Sequence, residues 1–544
     1  MERKNVWKEY DAQALDRLEA FARDYRAFLD NGKTERECTA LCCAAAEERG
    51  FVNLEKCIAE GRQLKAGDRV YCNWMDKSFL LFVIGEKPME QGMNILGAHI
   101  DSPRIDIKQN PLYEDADLAY LDTHYYGGIK KYQWVAQPLS LHGVIVKKDG
   151  TRVNVTVGEA EDDPVFCISD LLPHLAQDQM KRDASKLIEG EELNLIVGGR
   201  PVADCDKDAV KQGVLNILKE TYGVEEEDFL SAELEIVPAG KARDMGFDRS
   251  MILAYGHDDR VCAYPSMRAV LDLEGTPERT ACCVLTDKEE IGSVGATGMD
   301  SMYFENIVAE VYALTATYSE LGLRRVLRNS YMLSSDVSAG FDPNFAAAFE
   351  KKNAAYLGRG ICFNKYTGAR GKSSSSDANA EYVAQVRRIM DDAGVAFQTA
   401  ELGRVDLGGG GTIAFTCARY GMNVIDAGVA VLSMHAPYEV ISKADLFEAY
   451  KGYAAFLQAL AKTKRTCSTA SWGRFFRWMR RFPGKSAQRM KLVRSRGSGT
   501  GAWRPAMRPS SMQRSSQAMF RASMRMVCRP SRSCRTSSGA FPCT

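Results

Sequence analysis

The chain has 544 residues, and 71 Lys and Arg residues balance 71 Asp and Glu residues, so the formal net charge is zero. Taken whole, this balance excludes a strongly basic nucleic-acid binder and a protein with an acidic tail. The charges are unevenly placed, however: residues 462–544 contain 20 Lys and Arg and no Asp or Glu, which leaves 51 basic residues (71 less 20) and 71 acidic ones before them. An acidic body with a net charge of −20 is therefore joined to a basic tail.

The size of the body and its cysteines narrow the class of protein further. About 460 residues exceed the length at which single cores stop growing, so we expect two domains. No apolar run approaches the roughly 20 residues of a membrane span, and the N-terminus MERKNVWKEYDAQAL lacks the apolar core of a signal peptide. The sixteen cysteines are scattered and include no C-x-x-C pair. These features predict a cytoplasmic protein with reduced thiols and no membrane partner.

The apolar pattern changes three times along the body. Residues 8–48 predict helices, because large apolar side chains recur at intervals of three and four. Short apolar runs then indicate strands, and residues 107–245 combine strand-like segments such as LSLHGVIV and VNVTVG with one charged, helix-like section at 175–192. From 250 to 461 apolar strands again alternate with helices, which favours an open α/β sheet with crossover connections. We therefore predict an α/β domain from residues 1–106 and 246–461, with residues 107–245 inserted as a second, mainly β domain.

The tail at 462–544 lacks apolar periodicity and is expected to be disordered. Basic residues interleaved with Trp472, Trp478 and Trp503 would suit RNA or a membrane surface. The other interpretation is that the segment is an out-of-frame extension of a GC-rich gene. Nucleic acid is accordingly a candidate partner through this tail alone.

Ionisable residues end five apolar runs of the body. The ligand crevice of an open α/β sheet lies outside the carboxyl ends of its strands, so we expect these side chains to converge. The runs are MNILGAHID with His99 and Asp101, MILAYGHDD with Asp258 and Asp259, ACCVLTDKEE with Glu289 and Glu290, SYMLSSD with Asp336, and IDAGVAVLSMH with His435.

Two histidines and several carboxylates are the donors that zinc and similar ions prefer. Five ligands exceed the usual three of one catalytic zinc, whereas two metals sharing a carboxylate would use them all. In the Glu289–Glu290 pair, one carboxylate can bind metal while the other stays free as a base for a metal-activated water. The H-x-D spacing lets Asp101 accept the second ring N–H of His99. Each motif alone has an ordinary structural explanation, such as a solvated helix face or a buried core histidine; their conjunction favours a dimetal site.

Six ordered motifs between about residues 10 and 460 resemble those of the aspartyl aminopeptidase family, metallopeptidase family 18: GAHIDSPR, GHDDRVCAY, TDKEEIGSVGATG, SSDVSAGFDPNF, GGGGTIAF and LSMHAPYE. The resemblance implies a phosphorylase/zinc-peptidase-like open sheet with helices on both faces, an inserted dimerisation domain, and a homo-dodecamer built from dimers. It implies a metal-dependent aminopeptidase that holds two divalent ions, Zn²⁺ with Mn²⁺ or Co²⁺ as alternatives. It assigns His99 and Asp336 to one metal, Glu290 and His435 to the other, Asp258 as the bridge, Glu289 as the general base and Asp101 as the orienter of His99.

Four further positions are weaker candidates. His174 in DLLPHLA resembles a histidine of the family's inserted domain that supports the active site or binds metal, although its position also suits the start of a helix. His124 in THYYGG, Lys365 in a Gly/Ser-rich loop and Gly410 in GGGG are candidate substrate-binding residues. A solvated basic loop and a flexible turn are the alternatives for the last two.

Departures from the family pattern leave the substrate open. Ala436 follows the last histidine where the family usually has Ser, and Phe415 replaces a customary proline. Peptides with acidic or neutral N-terminal residues are both candidates. The rival functions are a related dizinc deacylase or carboxypeptidase, and a non-enzymatic dodecameric scaffold whose basic tail binds nucleic acid.

Overall fold

The computed structural model describes residues 4–459. The basic tail at 462–544, with the nucleic-acid surface predicted for it, lies outside the described residues. Within residues 4–459 the helices are α1 Ala12–Asn31, α2 Glu35–Glu48, α3 Leu54–Ala59, α4 Ala209–Tyr222, α5 His257–Leu271, α6 Tyr303–Thr315, α7 Glu320–Arg328, α8 Ala369–Lys372, α9 Ala380–Asp392, α10 Ile413–Ala418 and α11 Lys443–Ala459. None of the described helices is both long enough and apolar enough to cross a bilayer.

The strands, in chain order within the same residues, are β1 Val52–Asn53, β2 Arg69–Trp74, β3 Ser78–Val83, β4 Asn94–His99, β5 Arg104–Asp115, β6 Leu118–Tyr126, β7 Leu139–Val146, β8 Arg152–Val157, β9 Leu195–Gly198, β10 Ala232–Pro238, β11 Arg243–Met245, β12 Met251–Ala254, β13 Ala281–Thr286, β14 Tyr331–Ser334, β15 Ser338–Ala339, β16 Ile361–Asn364, β17 Phe397–Thr399, β18 Asn423–Gly428, β19 Ala430–Val431 and β20 Glu439–Ser442.

A nine-stranded mixed sheet, which we call the central sheet, is the largest sheet of residues 4–459, in the order β1-β2-β3-β13-β4-β14-β18-β16-β17. Strands β13, β4, β14 and β18 run parallel. Successive residues of a strand face opposite sides, and here both sides are buried: Leu96 belongs to a core with α1, α2, α5, α9 and α11, whereas Ile95 belongs to a core with α3, α6, α7 and α10. The prediction of a sheet with helices on both faces is confirmed.

The N-terminal helices form as the periodicity predicts. Asp11 caps α1 by accepting a hydrogen bond from the Ala14 N–H, and Thr34 and Glu37 form a reciprocal capping box at the start of α2. The apolar face of α1 is buried against the core. From α2, Glu37 pairs with His142 and Arg36 pairs with Glu233, both in the second sheet.

Residues 104–238 form a second, six-stranded antiparallel sheet in the order β8-β7-β10-β5-β6-β9, with an apolar core of its own. The helix predicted at 175–192 is wrong: this stretch has three short 3₁₀ turns, and Ala176, Gln179 and Ile188 are its buried side chains. That spacing supplies no continuous apolar stripe for a helix to bury. The helix of this region is α4, which ends at Gly223 in the left-handed conformation.

Candidate metal centre

Three of the five predicted strand ends lie side by side in the central sheet. Strands β13, β4 and β14 are neighbours and parallel, so the residues that follow them emerge at the same edge. His99 ends β4, Glu289 and Glu290 follow β13, and Asp336 follows β14. All four side chains line one cavity of about 620 Å³.

The other two predicted residues reach this cavity by a different route. Asp258 follows β12, which lies in a separate three-stranded sheet of the order β11-β12-β20, and His435 follows the short strand β19, which pairs with β15. The run before His435 begins in β18 of the central sheet and continues into β19, whereas the run before Asp258 does not enter that sheet. The expectation that all five runs belong to one sheet is therefore wrong for the run before Asp258. Both side chains nevertheless line the same cavity as His99.

Asp258 lies between the two imidazoles. Its Oδ1 is 3.1 Å from Nε2 of His99, and its Oδ2 is 3.2 Å from Nε2 of His435. Two donors held about 2.0–2.1 Å from one tetrahedral zinc lie about 3.3 Å apart. Each oxygen of Asp258 thus stands at ligand spacing from one histidine, which is the arrangement of a carboxylate that can bridge two ions.

The remaining carboxylates complete two groups of donors. Nε2 of His435 is 3.6 Å from Oε2 of Glu290. Donor atoms of His99, Glu289 and Asp336 lie within 4.8 Å of one another, as do those of His99, Asp258 and Glu290. The arrangement therefore has enough donors of the right type for more than one divalent ion.

Each ring nitrogen of His99 and His435 has an oxygen beside it: Nδ1 faces a carbonyl oxygen, and Nε2 faces the Asp258 carboxylate. Nδ1 of His99 lies 3.0 Å from the carbonyl oxygen of Asp101 and 3.3 Å from its Oδ1. Nδ1 of His435 lies 2.9 Å from the carbonyl oxygen of Gly128. An Nδ1–H that donates to these oxygens leaves Nε2 directed at the Asp258 carboxylate, so Nε2 is the atom that each histidine would offer to an ion.

Asp101 does more than orient His99. Its carboxylate accepts hydrogen bonds from the Tyr126 hydroxyl at 2.8 Å and from the N–H groups of Glu289 and Glu290, each at 3.2 Å. It is fully buried. One carboxylate therefore fixes a histidine and the backbone of the adjacent glutamates.

The electrostatics of the site divide the carboxylates into two groups. Burial alone would raise the pKa of Asp258, but the hydrogen bonds of His435 and His99 hold it well below its usual range. Burial raises the pKa of Glu289 to about 7 and that of Glu290 well above its usual range. Among the described residues Oε1 of Glu290 is buried without a hydrogen-bond partner. Crowded carboxylates with an unpartnered buried oxygen fit a divalent cation, which would supply the missing positive charge.

Comparison with known proteins agrees with this geometry. A family model described as aminopeptidase I zinc metalloprotease (M18) matches residues 28–457. The chain belongs to the M18 family of aminopeptidases. It is accordingly a metal-dependent aminopeptidase, a hydrolase of peptide bonds.

Relatives match the body of this M18 aminopeptidase over nearly their whole length. The probable M18 family aminopeptidase 1 of Clostridium acetobutylicum is 58% identical over 457 residues, which are 84% of this chain and 98% of that protein. A crystal structure of an M18 family aminopeptidase from Thermotoga maritima is 44% identical, with a TM-score of 0.80 over 84% of this chain and 99% of that one. A yeast aminopeptidase solved as a dodecamer shares the fold, with a TM-score of 0.64 and 20% identity over 80% of this chain and 95% of that one.

The weaker candidate residues of this M18 aminopeptidase separate into two groups. Gly410 lines the cavity, and its N–H donates to the carbonyl of Thr367. His174, His124 and Lys365 do not line it. His174 is exposed, the His124 ring stacks on Tyr125, and the Lys365 ammonium is 3.2 Å from the Asp377 carboxylate.

Sequence reasoning missed two residues that hold the site. Tyr126 donates to Asp101, and buried Glu439 accepts hydrogen bonds from the backbone of Asp258 and His435. Both lie in motifs that resemble the family, THYYGG and LSMHAPYE. The sequence shows a glutamate four residues after His435, but it does not show that this residue contacts Asp258, which is 181 residues away.

Proposed function

We propose that this aminopeptidase holds two zinc ions and removes uncharged residues from the N-termini of peptides. His99 and Asp336 would hold one ion, Glu290 and His435 the other, and Asp258 would bridge them. The observation that carries the proposal is the position of Asp258, with one oxygen at ligand spacing from each imidazole.

Glu289 is the general base in this proposal. The ions, when bound, supply Lewis-acid polarisation of the scissile carbonyl and make a water more acidic. Among the described residues the Glu289 carboxylate accepts no hydrogen bond, it lines the cavity, and burial raises its pKa to about 7. A carboxylate of that basicity can take the proton of the attacking water and deliver it to the leaving amine nitrogen. Asp101 keeps it in place through the Glu289 N–H.

The cavity walls favour uncharged side chains of the substrate. Apolar side chains of Leu402, Phe415 and Met434 line the cavity. Among the described lining residues Arg419 is the one Lys or Arg, and it is ion-paired with Asp300. An acidic N-terminal side chain would therefore lose water here without gaining an unpaired cation.

In a dimer, His174 of one subunit would lie at the cavity of the other subunit. His174 lies among Leu171, Leu172 and Leu175, whose side chains are between 50 and 69% exposed. Exposed apolar clusters of this kind mark interaction surfaces. We assign residues 107–245 to an inserted dimerisation domain between 1–106 and 246–461 of the catalytic domain, supported by the separate sheet and core of residues 104–238. The partner's copy of this cluster would lie over the cavity, and dimers would build the dodecamer.

A cytoplasmic setting fits the cysteines. The twelve cysteines within the described residues are all free thiols, and nine of them are buried. Reduced thiols in this number are typical of a reducing compartment.

The test compares the two adjacent glutamates. Glu289→Gln should lower kcat by about 10²–10⁴-fold, the usual share of a general base, while the protein retains two ions per chain by metal analysis. Glu290→Gln is the matched control and should lose one ion. Full activity of Glu289→Gln, or loss of its metal, would contradict the assignment.

Substrates distinguish the rival functions. Aminoacyl reporters with Leu or Met should be cleaved faster than those with Asp or Glu, and a chelator should abolish turnover. Cleavage of N-terminally blocked peptides would instead support a deacylase or carboxypeptidase, and a metal-loaded protein without turnover on any substrate would support a scaffold.

A further inference from the structure

A buried carboxylate, that of Glu439, connects the segment that contains Asp258 with the segment that contains His435. Glu439 is 1% exposed. Its Oε1 accepts a hydrogen bond from the N–H of His435 at 2.7 Å, and its Oε2 accepts one from the N–H of Asp258 at 2.9 Å. Both partners are backbone groups of candidate metal ligands.

The position of Glu439 follows from strand pairing. Glu439 is the first residue of β20 and is paired with Ala254, the last residue of β12. The chain leaves β12 toward Asp258, and it reaches β20 from His435. The side chain of Glu439 therefore stands where the two ligand-bearing segments meet.

The segment that carries His435 adopts a left-handed backbone at two residues. His435 has φ +65° and Ser433 has φ +57°, a region that residues other than glycine occupy at a cost. Such a conformation persists where surrounding contacts determine it. The hydrogen bond from the His435 N–H to Glu439 is one of these contacts, and it ties the strained residue to the segment of Asp258.

We infer that Glu439 is a positioning residue for the metal centre, which sets the distance between Asp258 and His435. The inference rests on the proposed metal-binding role of those two residues. Glu439 does not line the cavity. It acts through the backbone, so its loss should alter metal affinity and geometry before it alters anything else.

The chain offers a matched control in Asp445. This buried carboxylate also accepts two backbone N–H groups, those of Gly358 at 2.7 Å and Gly360 at 2.6 Å. Asp445 lies in α11 and does not line the cavity. Its substitution removes the same kind of contact without touching a candidate ligand.

The test is titration of the metal-free full-length protein with Co²⁺, followed by its visible d–d absorption. Glu439→Gln places an NH₂ group against one backbone N–H, so one of the two hydrogen bonds is lost. We expect Co²⁺ to bind about 10–100-fold more weakly, with a changed absorption spectrum and with activity that recovers at high metal concentration. Asp445→Asn should lower the melting temperature but retain wild-type affinity and spectrum.

Glu439→Asp keeps the charge but is one methylene shorter, so it reaches one of the two N–H groups. It should bind Co²⁺ more weakly than the wild type, and it carries the test if the Gln variant does not fold. Wild-type affinity and spectrum in the Asp variant, or in a folded Gln variant, would overturn the inference. If the wild-type protein itself binds no Co²⁺, the proposed metal centre fails; this result is distinct, because it appears before any variant is compared.

Discussion

Replacing Asp101 by Asn tests whether one carboxylate organises the base and the metal ligands together. Oδ1 faces Nδ1 of His99 at 3.3 Å and the N–H of Glu289 at 3.2 Å. Oδ2 accepts from the Tyr126 hydroxyl at 2.8 Å and from the N–H of Glu290 at 3.2 Å. All four partners donate, and an amide offers only one oxygen.

An Asn side chain at position 101 has two orientations, which differ in the partner that its NH₂ group faces. A hydroxyl can turn and accept a hydrogen bond, whereas a backbone N–H cannot. The NH₂ group should therefore face Tyr126 and leave the N–H of Glu290 unpaired. An unsatisfied buried donor costs about 1–3 kcal/mol, and a bond from His99 to a neutral oxygen is weaker than one to a carboxylate.

The unpaired donor destabilises the fold, whereas the misplaced His99 and Glu289 lower activity, so we expect kcat/KM of Asp101→Asn to fall by about 10–100-fold with metal in excess. Steady-state kinetics on an uncharged aminoacyl reporter measure this. Tyr126→Phe is the control, because it removes one of the four donors. It should raise the activation free energy for kcat/KM by about 1 kcal/mol, which is about a fivefold fall in kcat/KM. Asp101→Asn within about threefold of wild type would show that Asp101 does not organise the site.

Two other predictions concern the second sheet and the partner subunit. Burial lowers the pKa of His142, but hydrogen bonds with Glu159 and Glu37 outweigh this effect, so the pKa is raised. The protonated His142 therefore stabilises the folded state fully below about pH 6.5, and this contribution is lost as the pH rises through the raised pKa. The free energy of unfolding of His142→Gln, from urea denaturation, should differ most from wild type near about pH 6; a difference that does not shrink toward about pH 9 would contradict this. For the partner subunit, His174→Ala and Glu289→Gln should each be inactive alone, but co-expressed they should recover about a quarter of wild-type activity, because half of randomly formed dimers hold one complete site. No recovery would place His174 outside the partner's site.

The sequence predicted the part of the site that local pattern determines. The apolar run MNILGAHID identifies β4 and places His99 at its end, and the same holds for Glu289, Glu290 and Asp336. Parallel strands present their carboxyl ends at one edge, so convergence follows from fold class alone.

The sequence could not predict which sheet each run joins. The run before Asp258 is as apolar as the others, yet it forms β12 and pairs with β20, about 180 residues later in the chain. Strand partners depend on packing between distant segments, which periodicity does not record. For the same reason the sequence did not predict a role for Glu439, because that role depends on its contact with the distant Asp258.

Asp101 and Glu439 perform related tasks with the same chemistry. Each is buried, and each accepts N–H groups from the backbone of two candidate site residues. A lysine or arginine could also hold such a carboxylate in place, but its charge would repel a divalent cation nearby. Backbone N–H groups supply the hydrogen bonds without a net charge. The carboxylates that line the cavity thus keep their negative potential for the metal ions, while Asp101 and Glu439 beside it are hydrogen-bonded through backbone N–H groups.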